Sequence, residues 1–395
     1  MKTTADVVIV GGGCMGASVA YHLAARGMTN VVLIEREAQL ATGSTGRNAG
    51  GFRHQFSNAA NIELSKESVA LFAEFEHVVG SPIDFWQHGY LFLLCTDESV
   101  AAFQRNLELQ RAHGIPVEWL TPDEATRLAP GISADGVLAA TFCGIDGVAD
   151  PNGVTMGFAR AAQSRGVEIQ RDTEVVAIDV HDAKVSAVRT TSGSIATDIV
   201  VNAAGPWSGE VGRMAGMVVP VVPERRHIFI AQPPGETPHS WDDEPFRGSV
   251  PSSRILVIDF ESTFYFHREG AGLLFGMGDP DERPGFDTTV RWDFLPKVID
   301  VAVRRLPALG EAAVSHAWAG LYEMTPDHNP IIGPSSDVRG FYTIAGFSGH
   351  GFQHSPAAGR ILADLIVGRD PKFDVSPFAA DRFATRALEG EANVV

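Results

Sequence analysis

Residues 6–35 decide the fold, and they read DVVIVGGGCMGASVAYHLAARGMTNVVLIE. The apolar run at 6–10 is typical of a parallel strand that is buried on both faces. A glycine-rich loop follows it, then a helical segment that ends at Gly27, and then a second apolar strand that ends at Glu35. This order predicts a βαβ unit with a right-handed crossover between the two strands.

The loop of this unit has the GxGxxG spacing of a dinucleotide site. Gly11 permits the tight turn, Gly13 lets a pyrophosphate approach the backbone, and Gly16 lets the helix pack closely on the strand. Glu35 lies nineteen residues after Gly16, where a carboxylate accepts hydrogen bonds from ribose hydroxyls and disfavours a 2′-phosphate. Two neighbouring candidates for cofactor contacts are Met15 and Arg36. One fingerprint predicts one dinucleotide, and it leaves FAD and NAD both open.

Length and charge limit the classes of function. The chain has 395 residues, more than one compact hydrophobic core usually serves, so we expect two domains. Its 48 acidic residues outnumber the 31 lysines and arginines, which gives a formal net charge of −17. Such a surface repels nucleic acid and anionic lipid, and the sequence has no basic run that overrides this. We therefore expect no nucleic-acid partner.

The cysteines and the apolar runs indicate the compartment. Cys14, Cys95 and Cys143 are odd in number and far apart. This pattern fits a reducing compartment and excludes a disulfide framework or a CxxC metal site, so we expect no metal. No apolar run approaches the ~18 residues that a membrane helix needs. We expect a cytoplasmic protein without a membrane span.

Four separate stretches carry a resemblance to a known family. They are STGRNAGGFRHQF at 44–56, NAAGPWS at 202–208, WAGLYEMTPDHNPIIG at 318–333 and GFSGHGFQHSPAAG at 346–359. In this order they resemble the FAD-dependent amine and amino-acid oxidoreductase superfamily. Its members include glycine oxidase, the sarcosine oxidases, dimethylglycine dehydrogenase and the flavin subunit of L-proline dehydrogenase. The similarity is greatest to sarcosine oxidase β-subunit-like proteins.

The resemblance implies a fold of α/β structure combined with antiparallel β structure. A Rossmann-like FAD-binding domain would comprise residues 1–80, 146–219 and 325–395. A substrate-binding domain would comprise residues 81–145 and 220–324, and its large antiparallel sheet would cover the flavin. Both domains would then be discontinuous along the chain.

Local patterns add three expectations. Residues 64–79 read as one helix, and residues 195–202 read as one strand. Ser355 is a good N-cap and Pro356 suits a first helical position, so a helix is expected to begin there. Its N-terminus would point at what the preceding glycine loop holds and would favour negative charge on a reduced flavin. The alternative is a glycine-rich turn before a surface helix.

The resemblance also implies contacts to each part of the cofactor, with Glu35 on the adenosine ribose and Val175 on the adenine. Residues expected along the pyrophosphate and ribityl chain are Ser44, Thr45, Arg47 and Asn48. Residues expected close to the isoalloxazine ring are Ala49, Gly50 and Gly51. Residues expected to close the nucleotide pocket are Ala203, Ala204, Gly205 and Trp207. Residues expected at the flavin's pyrimidine edge are Gly346, Gly349, His350, Gly351, Phe352 and Gln353.

Charged residues on the substrate side begin with Arg53. A buried carboxylate requires a cation, preferably a bidentate arginine, and the resemblance implies such an arginine at Arg53, with a surface or pyrophosphate-pairing role as the alternative. His54 either tunes charge beside the flavin or is a structural histidine. Arg225, Arg226 and His227 form a small basic cluster that either steers an anionic substrate or lies on a solvated strand edge.

Two tyrosines complete the predicted catalytic set. The resemblance places a substrate-facing residue at Tyr322, whose hydroxyl would orient an amine or a carboxylate. Tyr265 and His267 share one face of a strand that is expected to roof the pocket. For each of these aromatic residues the alternative is ordinary core packing.

Three positions depart from the family pattern. Gln353 replaces a lysine that binds the substrate carboxylate in some sarcosine oxidases. An amide offers a hydrogen bond without a charge, so the assignment of sarcosine as the substrate is in doubt. Leu274 replaces a lysine that assists oxygen in the single-chain enzymes, which weakens the oxidase assignment. Gly320 replaces the cysteine that attaches FAD covalently in those enzymes, so we expect non-covalent FAD.

The expected function is oxidation of a small secondary amine or amino acid, such as a sarcosine-, glycine-, proline- or iminodiacetate-like substrate. Hydride would pass from the carbon next to nitrogen to flavin N5, and water would hydrolyse the resulting imine. Oxygen, giving hydrogen peroxide, or another acceptor would reoxidise the flavin, with an oxidase favoured over a dehydrogenase. The alternatives are an NAD-dependent dehydrogenase and a non-catalytic FAD-binding assembly factor. The sequence makes no prediction of the oligomeric state.

Overall fold

Twenty strands and ten α-helices form the part of the chain that the computed structural model describes, residues 2–233, 245–385, 388 and 390–394. The strands are β1 (Val7–Val10), β2 (Val31–Ile34), β3 (Gly51–Phe52), β4 (Phe85–Trp86), β5 (Tyr90–Leu94), β6 (Val117–Leu120), β7 (Ala139–Cys143), β8 (Gly147–Ala149), β9 (Glu168–Gln170), β10 (Val175–His181), β11 (Lys184–Thr190), β12 (Gly193–Ala196), β13 (Val200–Asn202), β14 (Val222–Gln232), β15 (Leu256–Asp259), β16 (Phe264–Glu269), β17 (Gly272–Met277), β18 (Ala313–Met324), β19 (Ile331–Pro334) and β20 (Phe341–Ala345). The helices are α1 (Cys14–Ala25), α2 (Ala59–Ala73), α3 (Phe75–Val79), α4 (Asp97–Ala112), α5 (Pro122–Leu128), α6 (Pro151–Gln163), α7 (Ser208–Met214), α8 (Leu295–Arg305), α9 (Gly351–Ile366) and α10 (Arg382–Thr385).

The predicted βαβ unit lies at the centre of a six-stranded sheet. The strand order is β19-β20-β13-β1-β2-β9, and every neighbouring pair is parallel except β19 with β20. All four residues of β1 and of β2 are buried, which explains their unbroken apolar sequences. Helices α1, α6 and α9 share one apolar core on one face of this sheet. The small sheet β10-β11-β12 and helix α7 cover the other face.

A second, eight-stranded sheet has the order β18-β14-β17-β16-β15-β5-β7-β6. Its neighbours are antiparallel except for β15 and β5, which run parallel. One face packs on an apolar core that includes Phe229, Phe266 and Phe275 together with Phe294 and Val298 from the region of α8. The sheet draws its strands from two stretches of the chain, and the six-stranded sheet draws from three.

Two of the predicted elements are divided in the structure. The helix predicted at 64–79 begins earlier, at Ala59, where the Asn58 side chain accepts a hydrogen bond from the backbone N–H of Asn61, and it ends at Ala73 before the separate α3. The strand predicted at 195–202 is broken, because β12 pairs with β11 whereas β13 joins the nucleotide sheet. The hydroxyl of Thr197 bonds backbone oxygens at the break.

The predicted helix start at Ser355 is wrong, because α9 begins four residues earlier, at Gly351. Pro356 lies inside the helix and has no N–H to donate to the carbonyl of Phe352. The Ser355 hydroxyl donates to that carbonyl instead, at 2.8 Å. A serine that satisfies the carbonyl freed by the following proline explains how the helix continues through both residues.

Within the described residues no helix is both long and apolar enough to cross a bilayer. Cys14, Cys95 and Cys143 are free thiols.

Candidate functional site

A cavity of about 610 Å³ lies between the nucleotide sheet and the eight-stranded sheet. Its walls come from nearly every segment that the sequence singles out. The predicted site residues that line it are Gly11, Gly13, Met15, Glu35, Arg36, Ser44, Thr45, Arg47, Asn48, Ala49, Gly51, Arg53, Val175, Ala203, Ala204, Gly205, Trp207, Tyr265, Gly320, Tyr322, Gly349, His350, Gly351, Phe352 and Gln353. Four predicted site residues are not among its lining residues: Gly16, His54, Gly50 and Gly346.

The glycine loop forms a cradle that only glycine permits at its key positions. Gly11 has a φ of 113°, and a Cβ there would collide with the carbonyl oxygen of Ala203. A Cβ on Gly16 would collide with the carbonyl oxygen of Gly11, so Gly16 shapes the loop from behind without lining the cavity. Gly13 at the N-cap of α1 offers no side-chain acceptor, and the backbone N–H of Cys14 donates to the Thr45 hydroxyl at 3.1 Å. The partial positive charge at this end of the helix suits a phosphate.

Glu35 is held in place beside this cradle. One of its carboxylate oxygens accepts from the backbone N–H of Gly12 at 2.8 Å, and the other accepts from the backbone N–H of Glu37 at 2.9 Å. The next side chain, Arg36, lies over the ring of Trp207, 3.9 Å from its centroid. Trp207 in turn stacks on Phe286, with 5.4 Å between the ring centroids. These side chains give one end of the cavity a carboxylate and a stacked aromatic wall.

The loop at 44–48 is docked on strand β18. The Ser44 hydroxyl donates to the carbonyl of Leu321 at 2.6 Å, and Nη1 of Arg47 donates to the carbonyl of Ala319 at 2.8 Å. The carbonyl of Arg47 accepts from the indole N–H of Trp318 at 2.9 Å. A Cβ on Gly320 would lie 3.1 Å from the Cβ of Arg47, so this close approach leaves little room for a side chain at position 320.

The cradle, the placed carboxylate and the docked loop together fit a dinucleotide that carries a flavin. A family model described as FAD dependent oxidoreductase, DAO, matches residues 6–365. The chain belongs to this family. The resemblance seen in its four sequence stretches is therefore confirmed, and FAD rather than NAD is its cofactor.

Similar proteins agree with membership of the FAD-dependent oxidoreductases. Mitochondrial dimethylglycine dehydrogenase of Rattus norvegicus is 30% identical over 399 residues, which cover 97% of this chain and 45% of that protein. FAD-dependent oxidoreductase domain-containing protein 1 of Bos taurus is 33% identical over 427 residues, covering 96% of this chain and 84% of that protein. The chain spans less than half the length of the dimethylglycine and sarcosine dehydrogenases it matches.

The fold of nearly the whole chain is also found in a solved structure. L-Proline dehydrogenase from P. horikoshii superposes with a TM-score of 0.88 at 34% identity, covering 98% of this chain and 100% of that one. The predicted combination of a nucleotide-binding α/β part with a large, mostly antiparallel sheet is therefore confirmed.

Arg53 lies in the cavity of this FAD-dependent oxidoreductase with its guanidinium almost fully buried. Nη1 donates to the carbonyl of Gln55 at 2.8 Å, and Nη2 donates to the carbonyl of Asn393. The guanidinium carbon lies 4.2 Å from the ring centroid of Phe56. These neutral partners hold the side chain, and within the described part of the chain its charge has no direct ion pair. The buried cation is therefore suited to an anionic ligand.

His54 turns away from the cavity. Its Nδ1 lies 2.7 Å from Oδ1 of Asp146, which also accepts from the His54 backbone N–H at 2.8 Å. The amide of Gln55 donates to the other oxygen of Asp146 at 3.2 Å. Cys143 brings its sulfur into the same buried group, within 4.8 Å of the ligand atoms of His54 and Asp146. The geometry favours a structural role for His54, because its hydrogen bonds to Asp146 connect the chain after β3 to the turn between β7 and β8.

Three tyrosines face the cavity, of which Tyr90 is buried and Tyr265 and Tyr322 are partly buried, and each lies against a glycine. A Cβ on Gly51 would collide with the hydroxyl of Tyr90, and a Cβ on Gly349 would collide with the ring of Tyr322. The hydroxyl of Tyr265 lies against Gly276 in the same way. Burial raises the pKa of all three phenols, so each is neutral and none is a base at neutral pH.

Tyr90 is not predicted by the sequence, where it reads only as the start of an apolar strand. His267, which shares the strand face of Tyr265, lies with Nε2 3.0 Å from the carbonyl of Ala49 and so links β16 to the flavin loop. Leu274 is buried on β17 beside His267.

Amide and imidazole groups surround the start of α9. The side-chain oxygen of Gln353 accepts from the backbone N–H of Arg53 at 2.6 Å. The Nε2 of His350 lies 3.1 Å from the carbonyl of His328, and burial lowers the pKa of His350 to about 3. His354 bonds the hydroxyl of Ser65 at 2.8 Å. His350 is therefore neutral at physiological pH.

Glu323 is a second cavity residue that the sequence does not predict. It follows Tyr322, and one carboxylate oxygen accepts from the backbone N–H of Phe347 at 3.3 Å. The other oxygen is buried and has no hydrogen-bond partner among the residues that the structure describes. Burial raises the pKa of Glu323 to about 7. In the sequence, the one signal for Glu323 is that it is the single charged residue in the otherwise uncharged stretch WAGLYEM at 318–324.

A short segment at residues 390–394, here named the Glu391 segment, covers the Arg53 side of the cavity. The Glu391 carboxylate accepts from the Ser57 hydroxyl at 2.7 Å, from the Asn58 amide at 2.8 Å and from the Asn61 amide at 3.1 Å. The amide of Asn393 donates to the carbonyl of Gln55 at 3.0 Å. Val394 lines the cavity itself. The segment is thus fastened to the start of α2 and walls the pocket that holds Arg53.

Proposed function

We propose that this FAD-dependent oxidoreductase oxidises a small amine or amino acid at the carbon next to nitrogen, with FAD bound non-covalently. One observation carries the proposal: the cofactor cradle opens directly into an enclosure that contains Arg53 and three neutral tyrosines. A buried arginine suits a substrate carboxylate, and neutral tyrosine hydroxyls suit a neutral amine. The dehydrogenase names of several relatives support the same class of substrate.

In this proposal each group on the substrate side has a distinct role. Arg53 binds the carboxylate, while Gln353 fixes the backbone of Arg53 through the bond to its N–H. The hydroxyls of Tyr322 and Tyr265 orient the amine so that its α-carbon faces the cofactor. His54, which bonds Asp146 instead of lining the cavity, has no direct role.

The chemistry needs little from the protein beyond binding and positioning. Bound FAD would accept the hydride of the α-carbon, which carries both electrons of the oxidation. The nitrogen lone pair forms the C=N bond, and water then hydrolyses the imine to a carbonyl compound and an amine. Walls that exclude bulk water favour the uncharged amine that this step requires.

Roles on the cofactor side follow the cavity lining. Glu35 binds the adenosine ribose, and the N-terminus of α1 binds the pyrophosphate. The loop at 44–51 binds the ribityl chain and the flavin ring. The N-terminus of α9 at Gly351 faces the pyrimidine edge, where its partial positive charge favours the reduced flavin. Gly320 carries no nucleophile, which supports non-covalent attachment.

The experiment is anaerobic mixing of the holoenzyme with a panel of secondary amines and amino acids. Bleaching of the visible flavin band identifies the substrate class. Admission of air then decides the acceptor: rapid return of colour with hydrogen peroxide supports an oxidase, and slow return supports a dehydrogenase that uses another acceptor. A yellow protein that no amine bleaches contradicts the proposal and leaves FAD binding alone.

Arg53→Ala and Arg53→Lys are the matched variants in the same assay. We expect Arg53→Ala to keep its FAD and to need about 10- to 100-fold more substrate for half-maximal bleaching, because it loses charge-assisted hydrogen bonds. Arg53→Lys keeps the charge but lacks the planar guanidinium, so its half-maximal substrate concentration should lie between those of the wild type and Arg53→Ala. Unchanged half-saturation in Arg53→Ala removes Arg53 from the site.

A further inference from the structure

A second arginine faces the cavity from the eight-stranded sheet. Arg226 lies on β14, in register with Gly320 on β18, and it lines the same cavity as Arg53 and Tyr322. Its guanidinium carbon lies 4.9 Å from the centroid of the Tyr322 ring. Gly320 itself is in close contact with the Arg47 backbone and Cβ, so Arg226 borders the part of the cavity where the loop at 44–48 is docked.

The hydrogen bonds of Arg226 are incomplete. Nη1 donates to the carbonyl of Arg225 at 3.1 Å, and Nη2 donates to the carboxylate of Glu224 at 3.2 Å. Nε is buried and has no hydrogen-bond partner within the described part of the chain. A buried N–H without an acceptor costs about 1–3 kcal/mol, so such a group in a binding cavity points to an acceptor that a ligand brings.

Tyr322 shares the cavity with both Arg226 and Arg53. Burial raises the pKa of Tyr322, while Arg226 and Arg53 both act to lower it, in that order. The guanidinium of Arg226 lies over the Tyr322 ring, and Arg53 lines the same cavity. A ligand that sits over Tyr322 is therefore enclosed together with both arginines.

We infer that Arg226 is a substrate-binding residue, and that the preferred substrate is a secondary amine with an acidic group on each arm. This inference rests on the proposed function and names its substrate class. Arg53 binds one carboxylate, and Nε of Arg226 donates to the other, across the ring of Tyr322. An N-carboxymethyl amino acid has this arrangement of two carboxylates around one N–H.

The reaction balances for the simplest member of that class, iminodiacetate. One α-carbon loses a hydride to FAD, the nitrogen loses its proton to solvent, and a C=N bond forms. Water adds across this bond and the C–N bond breaks, which yields glyoxylate and glycine. FAD gains two electrons, and no other oxidant enters this half-reaction.

The test compares iminodiacetate with sarcosine, which has one carboxylate, in anaerobic bleaching of the holoenzyme. We expect half-maximal bleaching of the wild type at a concentration of iminodiacetate about tenfold or more below that of sarcosine, as one charge-assisted hydrogen bond predicts. In Arg226→Gln this preference should fall to near unity. Arg226→Lys, which keeps the charge but lacks Nε, should retain a part of it.

Arg213→Gln is the control, because it removes the same charge from an exposed side chain on α7. It should keep the wild-type preference. An equal response of the wild type to both amines, or an unchanged preference in Arg226→Gln, overturns the inference and leaves the proposed function standing. Failure of every amine to bleach the wild type overturns the proposed function, and the inference falls with it.

A second measurement on the wild type avoids any variant that folds poorly. Diglycolate has two carboxylates and methoxyacetate has one, and neither contains an oxidisable amine. Each is titrated against the visible spectrum of the holoenzyme. Tighter binding of diglycolate by about tenfold or more supports the inference, and equal binding of the two overturns it.

Discussion

The guanidinium of Arg53 donates a hydrogen bond to the backbone carbonyl of Asn393, 340 residues further along the chain. This bond joins the candidate carboxylate site to the Glu391 segment. The segment is held by the Glu391 carboxylate, which accepts hydrogen bonds from four donor groups on Ser57, Asn58 and Asn61 at 2.7–3.2 Å. The position of Arg53 therefore depends on a carboxylate that does not touch it.

Glu391→Ala should affect both stability and substrate binding. Several buried donors lose their acceptor, so we expect a loss of about 2–4 kcal/mol in the free energy of unfolding. The substrate concentration that gives half-maximal bleaching should rise, because Arg53 is less firmly held. Urea unfolding and anaerobic bleaching measure the two effects. Glu108→Ala, on the exposed face of α4, is the control and should change neither; a Glu391→Ala protein that matches this control contradicts the coupling.

Gly51→Ala should be destabilising because its methyl group would collide with the Tyr90 hydroxyl. Overpacking of this kind costs about 1–3 kcal/mol. Tyr90→Phe removes the hydroxyl oxygen, so the double variant should recover a part of that loss. Unfolding free energies of the two single variants and the double variant give the coupling between the residues. Additive effects would show that the collision is relieved elsewhere.

Glu323 should make the stability of the cofactor-free protein depend on pH. Burial raises its pKa from 4.5 in the unfolded chain to about 7 in the folded one. The folded state then holds a proton that the unfolded state has lost, so stability is fully present below pH 4.5 and declines as pH rises through 7. The total loss is on the order of 3 kcal/mol.

Glu323→Gln is neutral at every pH and isolates this effect. Melting temperatures of the cofactor-free wild type and of Glu323→Gln, measured between pH 5 and 8, should diverge as pH rises, with the wild type falling relative to the variant. Parallel curves would mean that the carboxylate is ionised throughout this range.

Glu35→Ala should weaken FAD binding about 10- to 100-fold, because the adenosine ribose loses a charged acceptor. The cradle also loses two hydrogen bonds, from Gly12 and Glu37, that shape the loop. Titration of the cofactor-free protein with FAD, followed by flavin fluorescence, measures the affinity. Glu76→Ala, exposed on α3, serves as the control, and equal affinities for the two variants would remove Glu35 from the cofactor site.

The cofactor side of the cavity is predictable from sequence because its signals are local. The turn at Gly11, the helix after it and the acid at Glu35 lie within thirty residues, and each has a backbone reason that is independent of the rest of the chain. Most of the predicted cofactor residues therefore line the cavity. Ser355 was misjudged as a cap, because its bond to Phe352 depends on Pro356 lying inside the helix.

The substrate side is less predictable because partners come from distant segments. His54 is turned from the cavity by Asp146, 92 residues away, and Glu391 meets Ser57 across 334 residues. Tyr90 reaches the cavity because β5 pairs with β15, which no local pattern indicates. Such pairings follow from tertiary packing, and one sequence read segment by segment does not contain them.

The order of strands in the nucleotide sheet has a consequence for biosynthesis. Strand β13 borders β20 on its outer side, and α1 packs against α9, so residues 341–366 are needed to finish the domain that begins at β1. While the ribosome is still making that stretch, β13 presents an unpaired edge and α1 an uncovered apolar face. The domain that holds FAD can therefore be completed only after residue 366 has been made, and until then the nascent chain carries surfaces of the kind that favour aggregation.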